Sequence, residues 1–134
     1  MKFLLLFIMI FCHIVDDYYL QKGLLANLKQ REWWETNAPD PMYKNDYKVA
    51  LVVHSFSWSF MILLPLLVFS LATGISNIFI FGFYIPALIS NMLLHYYVDN
   101  EKANEHSINL ITDQTCHLIQ IIGTCIWFYV ISII

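Results

Sequence analysis

The sequence predicts an all-α protein, a four-helix transmembrane bundle formed by a single domain over residues 1–134. Hydrophobic residues make up 59% of the chain and charged residues 13%, about half the charged share of a soluble domain. The apolar residues fall into four runs, each near the roughly 20 residues that a helix needs to cross a bilayer. A net charge of −3 without a basic stripe argues against a nucleic-acid partner.

The first predicted span runs from Met1 to Leu20 and begins with "MKFLLLFIMIFC". Lys2 before an apolar run is also typical of a secretory signal. No small-x-small cleavage site follows it, and cleavage would remove the polar residues that come next. We therefore expect a membrane span.

The other three predicted spans cover Val49 to Leu71, Ile75 to Val98 and Thr112 to Ile134. Pro65 and Pro86 fall inside the second and third spans. Because neighbouring helices satisfy the freed backbone groups, we expect these prolines to kink the helices rather than to end them.

The connection at residues 21–47 is expected to begin as a continuation of the first helix, with an apolar stripe, and then to break at "NAPDP". Trp33 and Trp34 are expected to anchor it at the headgroup level. The stripe consists of Leu24, Leu25 and Leu28.

Positive charges predict the orientation in the membrane. Nearly all of them fall in the connections after the first and third spans: Lys22, Lys29, Arg31, Lys44, Lys48 and Lys102. By the positive-inside rule these connections are cytoplasmic. The chain is thus expected in the inner or plasma membrane, with the lipid bilayer as its partner and both termini extracytoplasmic.

Three of the spans carry a histidine and an aspartate four residues apart. The pairs are His13 with Asp17, His95 with Asp99, and Asp113 with His117. In each pair the carboxylate lies nearer the cytoplasm and the histidine about 6 Å deeper, and the spacing puts both on one helix face. His54 lies at a similar depth in the second span. We expect a His/Asp layer near the cytoplasmic face.

Imidazole and carboxylate groups in such a layer indicate divalent metal binding, by one or two ions of zinc, manganese or iron. Ionisable groups at membrane depth cost roughly 2.5–3.5 kcal/mol each, which favours a functional role. The predicted ligands are His13, Asp17, His54, His95, Asp99, Asp113 and His117.

Other polar and sulfur-bearing residues have lesser expected roles. Asn91 and Gln120, one turn deeper than His95 and His117, are expected to fix imidazole tautomers. His106 is interpreted as a surface histidine. The three cysteines are expected to be reduced apolar residues: Cys12, Cys116 and Cys125.

These polar positions resemble the pattern of domain of unknown function 3307, a family of small bacterial and phage membrane proteins. That pattern is His-x3-Asp with Leu-Gln, a single His, His-x3-Asp-x2-Lys, and Asp-Gln-x2-His. The resemblance covers nearly the whole chain and implies that the matched positions form one site, with Asp16 a bystander. The matched residues are His13, Asp17, Leu20, Gln21, His54, His95, Asp99, Lys102, Asp113, Gln114 and His117.

The leading hypothesis is a metal-dependent hydrolase that acts at the cytoplasmic membrane interface on a phosphoester or other headgroup linkage. Asp99 or Asp113 would be the general base, and Lys102 would bind the anionic substrate. A looser similarity to membrane-bound metal-dependent hydrolases supports this by analogy only.

Two other functions stay open. A small ion, proton or metal transporter, or a subunit of one, also uses intramembrane His and Asp residues. However, residues 3–11 and 121–134 are almost entirely apolar, which favours a one-sided site. In the third hypothesis the protein is a scaffold in which the polar layer holds the helices in register. Four short spans also allow a homo-oligomer.

Overall fold

The computed structural model describes residues 2–75 and 77–132, and these residues form α-helices and turns without a β-strand. The side chains of residues 2 and 77–80 are not described either. The helices are α1 (Lys2–Val15), α2 (Leu24–Leu28), α3 (Arg31–Asn37), α4 (Asp46–Ala72), α5 (Asn77–Ala103) and α6 (Leu110–Ile131). A π-helical turn, Asp16–Leu20, follows α1, and a 3-10 turn, Pro41–Tyr43, precedes α4.

Three segments of the described residues are long and apolar enough to cross a membrane: Phe3–Leu20, Pro41–Ala72 and Leu110–Ile131. They coincide with the first, second and fourth predicted spans, whose outermost residues, Met1 and 133–134, lie outside the described residues. The third predicted span falls mostly in α5, a helix of 27 residues. Residue 76 and the side chains of residues 77–80 lie outside the description there, so a crossing by α5 stays a prediction.

The two internal prolines do not end their helices. α4 continues through Pro65 and α5 through Pro86, as the sequence predicts.

The four long helices pack in cyclic order, with α1 and α5 each lying against both α4 and α6. α1 and α4 are antiparallel, because His13 contacts Trp58, whereas Asp16 and Gln21, which follow α1, contact Ser57 and His54. The centre of the ring is filled by side chains with no exposed surface: Met9, Trp58, Ile62, Leu66, Phe83, Ala87, Ile121 and Phe128.

Helical structure continues through the π-turn only as far as Leu20, so the prediction that the first helix continues into the connection is wrong. Gly23 has a φ of +70°, a region that residues with a Cβ rarely adopt, and this turn redirects the chain into the separate helix α2. The Trp34 indole N–H then donates to the Leu28 carbonyl at 2.8 Å. α2 and α3 consequently pack against α4 instead of extending α1.

Polar contacts fasten the α2–α3 segment (residues 24–37) to the end of α5. The Asn104 side chain donates to the Lys29 carbonyl at 3.1 Å and accepts from the Arg31 backbone N–H at 2.7 Å. The Arg31 guanidinium also donates to Tyr47 and Glu105, and these hydrogen bonds raise the pKa of Arg31. Lys29 is thereby held over the polar end of the helical ring.

Candidate metal centre

The four histidines of the predicted layer converge at one level of the helical ring. The ring centroids of His54 and His95 are 4.8 Å apart, those of His95 and His117 4.2 Å, and those of His13 and His117 5.7 Å. None of the four is more than 3% exposed. The predicted convergence of the four histidines is therefore confirmed.

Three of the four histidines also meet the aspartate four residues away in sequence. The closest nitrogen–oxygen distances are 3.5 Å for His13 and Asp17, 3.6 Å for His95 and Asp99, and 3.2 Å for His117 and Asp113. Helical spacing thus brought these pairs together as predicted.

Two overlapping groups of these side chains could hold a metal ion, one made of Asp17, His54 and His95 and the other of His95, Asp99 and His117. In the first group, His54 Nε2 lies 2.9 Å from His95 Nε2 and 3.7 Å from Asp17 Oδ1. In the second, Asp99 Oδ1 lies 3.6 Å from His95 Nε2 and 3.3 Å from His117 Nε2. Two ligand atoms of a tetrahedral zinc ion lie about 3.3 Å apart, so these separations fit a shared ion.

Asp99 is the centre of the constellation. Besides its contacts through Oδ1, its other oxygen Oδ2 lies 2.8 Å from His54 Nε2. One carboxylate therefore touches histidines from three helices, α4, α5 and α6, and links the two candidate groups.

The π-helical turn directs both aspartates of the doubled pair toward the ring. The Gln21 backbone N–H donates to the Asp16 carbonyl, five residues back, at 3.1 Å. This wider turn leaves Asp16 with no exposed surface, while Asp17 remains 12% exposed. π-Turns of this kind are frequent at functional sites. The interpretation of Asp16 as a bystander is wrong, since the structure buries it beside the site.

Asp16 fixes the tautomer of His54 through Gln21. A carboxylate only accepts hydrogen bonds, so the Gln21 amide N–H₂ faces Asp16 and the Gln21 oxygen faces His54 Nδ1. His54 Nδ1 must then carry the proton. The lone pair of His54 is left on Nε2, which points toward His95 and Asp99.

Asp113 orients His13 through Gln114 in the same way. The Gln114 amide N–H₂ donates to Asp113 Oδ2 at 3.0 Å, so the Gln114 oxygen accepts from His13 Nε2 at 3.1 Å. The remaining His13 nitrogen, Nδ1, accepts from the Trp58 indole N–H at 2.8 Å. Both nitrogens of His13 are therefore engaged in hydrogen bonds, which makes it the least available of the four histidines as a ligand.

Asn91 and Gln120 do not fix an imidazole, contrary to expectation. Gln120 donates to the Asn91 carbonyl at 2.7 Å, and the Asn91 side chain exchanges hydrogen bonds with Thr124. These bonds join α5 to α6 one turn below the histidines. The amide groups of Asn91 and Gln120 are engaged in these bonds between the helices instead of in bonds to an imidazole.

Two lysines form ion pairs with carboxylates of the site. Lys102 Nζ donates to Asp113 Oδ2 at 2.6 Å, and Lys29 Nζ donates to Asp99 Oδ2 at 2.7 Å. Both line a cavity of about 170 Å³ together with Asp17, Asp99 and Asp113. Sequence reasoning singled out Lys102 but missed Lys29, because Lys29 reaches the site only through the turn at Gly23 and the hydrogen bonds to Asn104.

The candidate ligands suit a divalent cation for two reasons, their net negative charge and their buried atoms without a hydrogen-bond partner. The site contains two lysines and four aspartates, so its net charge is −2 if the histidines are neutral. The aspartates are Asp16, Asp17, Asp99 and Asp113. Asp17 Oδ1, Asp113 Oδ1 and His117 Nε2 also have no hydrogen-bond partner among the described residues, although each contacts another member of the site. Buried polar atoms without partners are rare in proteins and are often ligand positions.

The remaining residues behave as expected. His106 is exposed and lies 3.5 Å from Glu32. The cysteines are free, with Cys125 buried and the other two half-buried: Cys12 and Cys116.

Among known proteins, similarity is found at the level of a family. No curated protein and no solved structure matches the chain significantly. The family described as "Protein of unknown function (DUF3307)" matches residues 5–133, which include every member of the site. The chain therefore belongs to the DUF3307 family.

Proposed function

We propose that this chain is a four-span membrane protein that holds a divalent metal ion beneath the cytoplasmic face and hydrolyses a phosphoester there. The observation that carries the proposal is the meeting of His54, His95 and His117 around the carboxylate of Asp99. Three imidazoles and a carboxylate from different helices are a donor set of catalytic metal sites.

Three segments with the length and apolarity of membrane spans support the four-span arrangement, as does the cyclic packing of α5 against two of them. The fully buried charged groups then lie at one end of the bundle. The positive loops on that end favour the cytoplasmic side.

Nitrogen and oxygen donors without a thiolate favour zinc, manganese or iron. When bound, such an ion lowers the pKa of a water molecule toward neutrality and polarises the phosphoryl oxygen. His54 is the best prepared ligand, because its Nδ1 proton is held by Gln21 and its Nε2 faces the site.

The two candidate bases, Asp99 and Asp113, differ in the contacts that occupy their carboxylate oxygens. Both oxygens of Asp99 contact a histidine, which suits a ligand. Asp113 has one oxygen held by Lys102 and Gln114, whereas Oδ1 has no hydrogen-bond partner among the described residues. We assign Asp113 as the general base that takes a proton from the attacking water. Lys29 and Lys102 would neutralise the phosphoryl oxygens.

The packing below the histidines favours hydrolysis over transport. The Trp58 ring stacks on His95 at 4.2 Å, and the next layers contain the fully buried Met9, Ile62 and Phe83. Over the described residues, a hydrated ion would meet close-packed apolar side chains on its way to the far side. An ion pathway would instead carry polar groups through the membrane.

The test is metal content by inductively coupled plasma mass spectrometry on protein purified in detergent. We expect about one divalent ion per chain in the wild type and a metal content well below one in His95→Ala, because His95 belongs to both candidate ligand groups. His106→Ala is the matched control and should retain the ion, because His106 is exposed at the surface.

Hydrolysis of p-nitrophenyl phosphate by the same three proteins tests the reaction. Activity should follow metal content, and Asp113→Asn should lose activity while keeping its ion. A wild-type protein that binds no divalent ion, or equal metal contents in His95→Ala and His106→Ala, would refute the proposal.

A further inference from the structure

An apolar groove of about 490 Å³ reaches the site from the side of the molecule. Residues of α4 and α2 line the groove, together with Trp34 of α3. Its volume lies within the roughly 300–1,000 Å³ of small-molecule binding sites. The residues that line the groove include Gln21, Leu25, Leu28, Val49, Val53 and His54.

The groove ends at the candidate metal centre. His54, a member of the first ligand group, lines its inner end. Gln21 lines both this groove and the polar cavity that contains Lys29 and Lys102. An apolar compartment therefore meets, at one side chain, a polar compartment lined by two lysines and three aspartates.

The outer rim of the groove faces away from the helical ring. Val53 is 60% exposed, and the apolar side chains of Val49 and Leu25 are exposed as well. Val49 and Val53 lie within Pro41–Ala72, the segment that is long and apolar enough to cross a membrane. A groove that opens there is continuous with the hydrocarbon of the bilayer.

We propose that the groove binds an acyl chain of a phospholipid whose phosphate lies between Lys29 and Lys102. This inference rests on the proposed function, and it makes the substrate a lipid phosphoester rather than a soluble one. The chemistry on both sides of Gln21 matches the two ends of such a lipid. The groove is apolar, and with the proposed divalent ion bound, the two lysines and three aspartates of the cavity beyond it would leave a net charge of +1 to meet a phosphate. A peptide or a second copy of the chain would fill the groove without using these charges.

The probe is a phosphatidic acid with a diazirine on its acyl chain, incorporated into phosphatidylcholine nanodiscs that contain the full-length protein. After irradiation, mass spectrometry locates the crosslinked residues. Crosslinks are expected at Val49, Val53, Leu25 or Leu28.

Two neighbouring valines of α4 give a matched pair. Val53→Trp fills the groove, whereas Val52→Trp adds the same bulk to an exposed residue of the same helix outside the groove. We expect Val53→Trp to reduce groove labelling about ten-fold, equivalent to about two methylene groups leaving the groove. Val52→Trp should label like the wild type.

Metal content of each variant separates this inference from the proposed function. Loss of labelling in Val53→Trp with an unchanged ion supports both. The same loss in a protein that binds no ion supports a lipid groove and refutes the hydrolase. Equal labelling of the two variants, crosslinks spread over all the lipid-facing helices, or a change of oligomeric state in Val53→Trp would overturn the inference.

Discussion

The amide of Gln21 lies between Asp16 and His54, and the amide of Gln114 lies between Asp113 and His13. Both glutamines set the protonated nitrogen of a buried histidine. The consequences differ. The lone pair of His54 faces the other candidate ligands, whereas the lone pair of His13 accepts a hydrogen bond from the Trp58 indole.

This difference predicts unequal effects of the same substitution. Gln21→Leu should lower the affinity for zinc by about 10–100-fold, the usual effect of removing the hydrogen-bond partner of a ligating histidine. Gln114→Leu should change the affinity much less. Competition with a chelating dye measures both values, and a larger effect at Gln114 would contradict the assignment of His13 as a non-ligand.

At the scale of residues, the sequence predicted what depends on local geometry. The pairs of His and Asp four residues apart meet because every α-helix brings such positions together. The position of Asp16 was predicted wrongly because a π-turn changes the direction in which its side chains point. No sequence pattern predicted that turn. Lys29 was missed because its position depends on a loop.

At the scale of elements, the α2–α3 segment depends on the turn at Gly23. A Cβ added at this glycine would have no heavy atom within 4 Å, so any penalty comes from the backbone conformation alone. The positive φ is what lets the chain leave α1 and place Lys29 over Asp99.

Gly23→Ala should therefore loosen this segment by about 1–3 kcal/mol, the strain of a side chain in a sparsely populated backbone region. Gly123→Ala is the control, because Gly123 lies within α6 and has the same free space. Hydrogen exchange should accelerate over residues 24–37 in the first variant only. Equal protection in both would show that the turn does not hold the segment.

The helices themselves were largely predictable, since apolar runs of about 20 residues dictate them in a membrane. The connection was predictable only in part. An apolar stripe over Leu24, Leu25 and Leu28 is equally compatible with an extension of α1 and with a separate helix. The positive φ of Gly23 selects the separate helix, and the φ of a glycine cannot be predicted from the sequence.

At the scale of the whole molecule, the contacts of the connections fix which ends lie together. Arg31, in the first connection, pairs with Glu105 after α5 at 3.0 Å. Arg31 also donates to Tyr47 near the start of α4, so Glu105 lies beside the start of that helix. Thr73 follows α4 and therefore lies at its other end. If α4 and α5 both cross the bilayer, these two ends lie on opposite sides.

Single cysteines at these places test the arrangement. In a background with the native cysteines replaced, Glu105→Cys and Thr73→Cys should react with an impermeant maleimide from opposite faces of sealed vesicles, with Glu105→Cys on the cytoplasmic face. The cysteine-free parent is the control. Labelling of both from one face would exclude the four-span arrangement.

His95 Nε2 belongs to both candidate ligand groups, but an imidazole nitrogen offers one electron pair. The two positions are therefore mutually exclusive in their complete form. Titration with a divalent cation should give an isotherm with one high-affinity equivalent, and any further ion would bind to an incomplete set of donors.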